Sequence, residues 1–306
     1  MHKRWVKMNS TRAQRAYYYN TETGESTWRA PSAKIQAHYN RMAQETKQQR
    51  NMDDLLPVRN FHNWIKNCLI SQHCRPGDRV VDFCCGKGGD LFKFKHCQVA
   101  GYCGFDFAQD AIQTAKIRAH SIAFPVQFVV HDMSQPLPAP AALFDIVNAQ
   151  FCLHYFWDTE ERALAFLTNA SQHLKPGGHL LATFTDEDVL RVTTSTRRRP
   201  GRAGNSLYSV RMDAAAGEFG RRYRFTSGSA IQDSEEYAVP LASVRALADR
   251  VGLALEASEN FHTYAYRQFE SPACIDSMRH FKVASALKPH EWEVSRNYRT
   301  AVFTKR

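Results

Sequence analysis

The run VVDFCCGKGGD at residues 80–90 constrains the fold of this chain most strongly. It reads as an apolar strand followed by a glycine-rich turn that opens a helix. Glycine lets such a turn approach a bound ligand closely, because no Cβ atom stands in the way. The spacing does not match the G-x-x-x-x-G-K-[ST] pattern of P-loops. The run therefore predicts a ligand-binding turn at a strand end, and the alternative is a glycine turn that serves only packing.

Strand-like runs alternate with helical runs along most of the chain, which predicts a parallel, doubly wound α/β sheet of Rossmann-like type. The strand-like runs cover residues 79–83, 99–105, 126–130, 144–149, 179–184 and 298–304. Apolar residues at 61, 64, 65, 68 and 69 share one face of a helix that precedes the first run. The region from about 186 to 237 favours hairpins, and residues 240–251 again favour a helix.

Two acidic residues follow successive strands after the glycine turn. Asp106 ends the second strand, where a carboxylate can accept hydrogen bonds from both hydroxyls of a ribose. Asp132 follows the third strand and is either a turn former or an acceptor for the amino group of adenine. Ligands bind at the carboxyl ends of such strands, so the series of acids favours the second interpretation.

At this point the sequence resembles the mRNA cap guanine-N7 methyltransferase family, over residues 38 to 303. The most specific matches are CGKGGD at 85–90, the Asn-Phe-x-Asn-Trp-x-Lys run at 60–66 and the Gln-Phe-x-x-His-Tyr run at 150–155. The resemblance implies a class I S-adenosylmethionine-dependent methyltransferase fold and transfer of a methyl group to N7 of the cap guanine.

The resemblance also implies which residues hold S-adenosylmethionine. They are Lys66, Cys84, Gly86, Asp106, Asp132, Gln150 and Tyr155. An ammonium such as that of Lys66 can pair with the methionine carboxylate; the alternative is a plain surface lysine. Cys84 departs from the family, which usually has glycine there, and this departure affects the expected cofactor affinity.

By the same resemblance, other residues surround the capped RNA. Those expected around the guanine are His154, Tyr155, Glu236 and Tyr298, and those expected near the cap phosphates, ribose or RNA are His62, Asn63, Lys87, Lys93 and Arg118. Carboxylates suit the guanine N–H groups, aromatic rings suit stacking, and cations suit phosphates. His62 and Thr185 depart from the asparagine and proline usual at their positions.

The expected chemistry needs no general base and no metal. Guanine N7 already carries a lone pair and the sulfonium is a good leaving group, so catalysis would consist of positioning and electrostatics. Residues 1–32 resemble a WW domain, which binds proline-rich peptides, and the remainder, 33–306, is the predicted methyltransferase domain. In the WW-like module Tyr19 and Trp28 would form the peptide groove.

The formal net charge of +10 favours a polyanionic partner. The eight cysteines show no zinc or disulfide spacing, and no apolar run is long enough to cross a membrane. These features favour a cytosolic or nuclear protein, and the implied activity favours the nucleus. We also expect a monomer, with the repeat tail of RNA polymerase II as a candidate proline-rich partner. Two alternatives are a methyltransferase for another RNA nucleotide and a WW adaptor on an inactive scaffold. The basic stretch 197–202 is a nuclear signal, an RNA contact or a solvated loop.

Overall fold

The computed structural model describes residues 5–10, 15–20, 26–27, 54–195, 201–213, 217–228, 231–283 and 287–306. The strands, in chain order, are β1 (Trp5–Ser10), β2 (Arg15–Asn20), β3 (Ser26–Thr27), β4 (Arg79–Phe83), β5 (Gly101–Asp106), β6 (Val126–Val130), β7 (Phe144–Gln150), β8 (Leu174–Thr185), β9 (Arg202–Gly204), β10 (Tyr208–Met212), β11 (Arg222–Ser227), β12 (Ile231–Tyr237), β13 (Leu253–Asn260) and β14 (Tyr298–Lys305).

The helices of the same residues are α1 (Leu56–His73), α2 (Leu91–His96), α3 (Gln109–Ala119), α4 (Glu160–His173), α5 (Glu187–Thr194), α6 (Leu241–Arg250), α7 (Phe261–Gln268), α8 (Pro272–His280) and α9 (Pro289–Ser295), with a short 3₁₀ helix at Leu153–Tyr155. The face of α1 predicted from its apolar spacing is buried, and Trp64 also donates a hydrogen bond of 2.7 Å to the carbonyl oxygen of Cys274. This bond ties α1 to α8.

A seven-stranded sheet in the order β13-β14-β8-β7-β4-β5-β6 forms the centre of the protein. The five strands from β4 to β8 pair in parallel, as predicted. β14 runs antiparallel to both of its neighbours. The chain order reverses between β4 and β7, and such a switch point places a crevice outside the carboxyl ends of the strands.

A second sheet, in the antiparallel order β12-β11-β10-β9, covers the predicted hairpin region. One face is buried, with Tyr223, Phe225 and Glu236 pointing inward. The register places Tyr223 opposite Glu236. This sheet therefore carries side chains from the predicted hairpin region into the interior beside the main sheet.

A third, three-stranded antiparallel sheet is formed by β1, β2 and β3 within the predicted WW-like module. Two predictions fall outside the described residues: the role of Trp28 in the peptide groove and most of the basic stretch 197–202. The structure describes Gly201 and Arg202 at the end of that stretch.

Candidate active site

The glycine-rich turn meets Asp106 at the carboxyl ends of β4 and β5. The backbone N–H of Gly86 donates to Oδ2 of Asp106 at 2.8 Å, and the N–H of Ala108 donates to Oδ1 at 2.8 Å. Burial raises the pKa of this carboxyl, and the two N–H donors partly oppose the rise. Gly86 has a φ of 53°, and a Cβ added there would meet no atom within 4 Å, so the turn borders open space.

Cys84 also adopts the left-handed region, with a φ of 58°. An L-residue is strained there, because its Cβ approaches the following carbonyl oxygen. Phe151, at the end of β7, has a φ of 57° and donates its N–H to the carbonyl oxygen of Thr183 at 2.8 Å. Two non-glycine residues at neighbouring strand ends thus hold strained backbones, which is a common feature of ligand sites.

Lys66 is paired with a buried acid rather than exposed on its helix. Its Nζ lies 2.7 Å from Oδ1 of Asp90, and the Nζ of Lys93 lies at the same distance from the same oxygen. Burial alone would raise the pKa of Asp90, but the two ammonium groups hold it well below its usual range. Lys93 is only 5% exposed, and burial lowers its pKa to about 8. It also donates to Oδ1 of Asn63 at 3.1 Å.

A chain of buried side-chain hydrogen bonds runs beneath the strand ends. Tyr102 donates to Asp82 at 2.5 Å, Asn148 donates to Asp82 at 2.8 Å, and Gln150 donates to Asn148 at 2.7 Å. Thr183 then donates to Oε1 of Gln150 at 3.0 Å. Burial raises the pKa of Asp82 to about 7, against the lowering effect of these donors. The amide nitrogen and the amide oxygen of Gln150 are therefore both held by hydrogen bonds.

Asp132 acts as a turn former in the structure. Its Oδ1 accepts hydrogen bonds from the backbone N–H of Ser134 at 2.9 Å and from its hydroxyl at 2.8 Å. A carboxylate oxygen holds further lone pairs, so this arrangement leaves the adenine interpretation as a prediction.

Glu236 forms the centre of a buried polar pocket at the junction of the two sheets. The hydroxyl of Tyr223 donates to its Oε2 at 2.6 Å, and the hydroxyl of Tyr155 donates to its Oε1 at 3.5 Å. Burial raises the pKa of Glu236 to about 7, although these hydroxyls lower it. The hydroxyl of Thr185 lies 3.0 Å from that of Tyr223 and donates to it, since the single proton of Tyr223 is used on Glu236; this contact links the pocket to the end of β8.

His154 faces the same carboxyl group. Its Nε2 lies 3.8 Å from Oε2 of Glu236, which is beyond hydrogen-bonding distance. Burial lowers the pKa of His154 to about 3, so the imidazole is neutral and the contact is not an ion pair. Its Nδ1 is buried and has no hydrogen-bond partner among the residues that the structure describes. The ring lies 4.3 Å from that of Tyr155, centroid to centroid.

An aromatic cluster forms the neighbouring wall. His62 stacks on Phe151 at 5.5 Å, and Tyr298 approaches both rings edge-on at 5.2 and 5.0 Å. Burial lowers the pKa of His62 to about 3, and its Nε2 lies 3.1 Å from the hydroxyl of Ser295. Burial also raises the pKa of Tyr298. Tyr298 is opposite Thr185 in the sheet, which places it beside the Glu236 pocket.

The remaining predicted residues lie on elements around the glycine turn. Lys87 belongs to the turn itself, and Arg118 lies in the last turn of α3; both are partly exposed. Asn63, Lys66 and Lys93 form the connected group described above, whereas Glu236 and Tyr298 belong to the second group.

Three residues with clear structural roles had no role assigned from the sequence. Tyr223 lies in the alternating run 222–226. The period-two pattern of this run is the sequence signal that Tyr223 points inward together with Phe225. Asp90 belongs to the quoted glycine motif, but its pairing with two lysines needs the packing of α1 against α2. Phe151 carries no sequence signal for its positive φ.

The comparisons with known proteins settle the family. The model of the mRNA (guanine-N(7))-methyltransferase domain matches residues 22–306, beginning inside the predicted 1–32 module. The chain belongs to the mRNA cap guanine-N7 methyltransferase family. It is similar to mRNA cap guanine-N(7) methyltransferase 1 of Oryza sativa subsp. japonica, with 31% identity over 92% of this chain and 84% of that protein. The enzyme of Saccharomyces cerevisiae is 32% identical over 75% of this chain and 58% of its own length.

Solved structures support the fold. An S-adenosylmethionine-dependent methyltransferase from Clostridium acetobutylicum matches with a TM-score of 0.51 and 14% identity, over 90% of this chain and 99% of that one. The N-methyltransferase NodS from Bradyrhizobium japonicum, in complex with S-adenosyl-L-homocysteine, matches with a TM-score of 0.51 and 13% identity, over 88% and 97% of the two chains.

Membership of the mRNA cap guanine-N7 methyltransferase family establishes the activity: the protein transfers a methyl group from S-adenosylmethionine to N7 of the guanine at the 5′ end of capped mRNA. The residues at the strand ends fit this cofactor, because a carboxylate, a lysine and an open glycine turn converge there. In the part of the chain that the structure describes, no cluster of His, Cys, Asp or Glu could hold a metal ion. None of the described helices is long and apolar enough to span a bilayer.

Proposed function

We propose that Glu236, Tyr155 and His154 hold the cap guanine and that catalysis consists of holding it in place. One observation carries the proposal: the 3₁₀ helix at Leu153–Tyr155 follows the carboxyl end of β7 and brings His154 and Tyr155 against Glu236 of the second sheet. This three-residue helix therefore connects the residues proposed to recognise guanine to the carboxyl end of β7.

The pocket matches the hydrogen-bonding groups of guanine. The carboxylate of Glu236 has lone pairs beyond those used by Tyr155 and Tyr223, and these can accept from the guanine N1–H and N2–H groups. The neutral His154 has an unpartnered buried nitrogen, which can bond to another edge atom of the base. The aromatic wall formed by His62, Phe151 and Tyr298 bounds the same space.

The electrostatics of the pocket suit the product as well as the substrate. Methylation at N7 leaves the guanine with a positive charge, and a nearby carboxylate stabilises that charge as it develops. A neutral histidine adds no opposing charge. No group is required to remove a proton, because N7 carries none.

On the cofactor side, we propose that Lys66 binds the methionine carboxylate while Asp106 accepts from the ribose hydroxyls. S-adenosylmethionine supplies the electrophilic methyl group. Asp90 holds Lys66 in position, and the amide of Gln150 is oriented by Asn148 and Thr183. The Asp132 carboxylate and the backbone at Cys84 and Gly86 complete the proposed cofactor surface. Asn63, Lys87, Lys93 and Arg118 are proposed on the cap phosphate side.

The test is methyl transfer from S-adenosylmethionine to GpppG-capped RNA, compared with uncapped RNA and with RNA already methylated at N7. Glu236→Ala should abolish transfer while cofactor binding persists, and Asp106→Ala should weaken cofactor binding. Glu235→Ala is the matched control, because its side chain is on the opposite side of β12 and contacts Arg222 and Tyr237. Equal loss of activity in the Glu235 and Glu236 variants would overturn the assignment.

We also propose that residues 1–32 form a WW-like module for a proline-rich partner, such as the repeat tail of RNA polymerase II. The three-stranded antiparallel sheet formed by β1, β2 and β3 supports this, with Tyr19 between Val6 and Ser26 in its register. Trp28→Ala should abolish capture of a proline-rich peptide and leave methylation of GpppG unchanged, whereas Tyr18→Ala should retain capture. Capture that survives Trp28→Ala contradicts the proposal.

Such a partner would place the enzyme in the nucleus, where transcripts acquire their caps. We propose nuclear residence and a monomeric state for the protein. Fluorescence microscopy of the tagged full chain and sedimentation equilibrium measure the two properties directly; a cytoplasmic signal or a concentration-dependent mass would contradict them.

A further inference from the structure

Three arginines lie directly opposite one another on the outer face of the second sheet. Arg211 of β10 is opposite Arg202 of β9 on one side and opposite Arg224 of β11 on the other. Adjacent strands are about 4.8 Å apart, so the row brings three positive charges close together. Like charges directly opposite each other destabilise a sheet. An anion bound along the row would remove this repulsion.

The charges in this row are only partly compensated within the protein. Arg224 forms an ion pair of 2.6 Å with Asp233. Arg202 and Arg211 are exposed and form no ion pair with any residue that the structure describes. Nearby, the Nε of Arg296 is buried and has no hydrogen-bond partner within the described part of the chain. Four guanidinium groups therefore line the groove with two carboxylates, those of Asp233 and Glu293, while Glu235 stands opposite Arg224 and is paired with Arg222.

These residues line a groove of about 1130 Å³, which we call the arginine groove. Between the arginines lie the polar side chains of Asn205, Ser209 and Thr226. Its one aromatic residue, Tyr208, is only 4% exposed, so no ring is available for bases to stack on. The groove therefore suits phosphate groups rather than bases or apolar side chains.

The arginine groove is also placed close to the proposed guanine pocket. Tyr223 and Glu236 point inward from β11 and β12, whereas Arg224 and Asp233 of the same strands line the groove on the outer face. The thickness of one sheet separates the two surfaces. β12 is the edge strand of this sheet, so a chain leaving the proposed pocket would have to pass that edge to reach the groove.

We infer that the arginine groove binds the phosphate backbone of the RNA that follows the cap. The inference rests on the proposed guanine pocket for its placement, but binding itself can be tested without a cap. Because phosphates carry no sequence information, binding should be independent of sequence and should weaken with added salt.

The first measurement is binding of an uncapped 30-nucleotide oligouridylate to the full chain over a range of salt concentrations. The double variant Arg202→Ala, Arg211→Ala should bind about tenfold more weakly. The salt slope should fall by about 1.4, since each phosphate contact on a single strand contributes about 0.7. Lysines at both positions should restore most of the affinity. Arg245→Ala with Arg279→Ala is the charge-matched control, because both arginines are exposed on helices α6 and α8 outside the groove.

The second measurement is methylation of capped 30-nucleotide RNA and of the GpppG dinucleotide. The double groove variant should raise KM for the long RNA several-fold and leave that for the dinucleotide unchanged. Unchanged RNA binding in the groove variant, or an equal loss in the control, would overturn the inference. So would displacement of the RNA by poly-glutamate at equal charge concentration, which would indicate an acidic protein partner instead. Absence of dinucleotide methylation in the wild type would count against the guanine pocket alone.

Discussion

Tyr223 donates a hydrogen bond of 2.6 Å to Oε2 of Glu236 from the directly opposite position on the adjacent antiparallel strand. The bond orients a buried carboxylate and favours its charged form. A tyrosine to which the sequence pattern assigned no role thus supports the residue proposed to recognise the guanine.

Tyr223→Phe should weaken cap binding. Loss of the hydroxyl removes a donor that lowers the pKa of Glu236, so the pKa rises above about 7 and less carboxylate is present at neutral pH. We expect KM for the cap to rise about tenfold at pH 7 and to recover in part at pH 8.5, with little change in kcat. Tyr237→Phe, whose hydroxyl contacts Glu235, is the control. A pH-independent loss would assign Tyr223 a purely structural role.

Cap affinity of the wild type should increase with pH through about 7. Burial raises the pKa of Glu236 to about 7, and the ionised carboxylate accepts from both guanine N–H groups, whereas the protonated acid carries a hydrogen on one of its oxygens. Below that pH, affinity should fall by about tenfold per unit. His154 stays neutral over this range. The pKa of Asp82, beneath the proposed cofactor site, is also raised to about 7. Binding of the cap analogue and binding of the cofactor are therefore measured separately by calorimetry, so that the effects of the two carboxyl groups can be distinguished. A flat profile from pH 5.5 to 8.5 would contradict the prediction.

Glu236→Gln should stabilise the protein at high pH. The pKa of Glu236 is raised in the folded state from 4.5 to about 7. Its contribution to stability is therefore present below pH 4.5 and is lost as the pH rises through 7. The variant should exceed the wild type in free energy of unfolding by up to about 3 kcal/mol at pH 8, and the difference should vanish near pH 4, below the pKa of 4.5 in the unfolded state. Urea unfolding at the two pH values measures this. A constant difference would contradict it.

Asp90→Asn should destabilise the protein and weaken cofactor binding together. The substitution leaves Lys93 buried without a counter-ion and frees Lys66, so we expect a loss of about 3 kcal/mol or more. Asp158→Asn removes a partly exposed partner of Arg162 and should cost at most about 1 kcal/mol. If chemical unfolding showed that both substitutions lower the free energy of unfolding equally, the buried network would contribute no more to stability than the partly exposed ion pair.

Cys84→Gly should be more stable than Cys84→Ala by about 1 kcal/mol, because only glycine adopts a φ of 58° without strain. The glycine variant should also bind S-adenosylmethionine at least as tightly as the wild type. Gln98 follows Cys97 at the end of α2 and has a φ of 57°. Gly and Ala substitutions at Gln98 therefore provide the control pair. Those variants should show the same stability difference and no change in cofactor affinity. Identical stability of the two Cys84 variants would contradict the strain argument.

Local patterns were sufficient to predict many of the elements. β4 and β6 have the predicted bounds, because each is a short apolar run ended by a turn or a polar residue. β8 begins at Leu174, five residues before the predicted start, since Leu174 pairs with Phe144 of β7 and the regular register resumes at His179. The Pro-Gly-Gly segment at 176–178 indicates a loop locally and lies in an irregularity of the register, and only the pairing of Leu174 with β7 starts the strand before it.

The sequence by itself determined the family and the identity of the cofactor, because these depend on short motifs. It also determined the parallel orientation of β4 to β8, because this depends on the alternation of strand-like and helical runs. The tertiary structure decided which charges meet. The pairing of Lys66 and Lys93 with Asp90, the support of Glu236 by Tyr223 and the row of Arg202, Arg211 and Arg224 all join residues from different elements. Helix packing and strand register create such contacts, and neither can be read from local spacing.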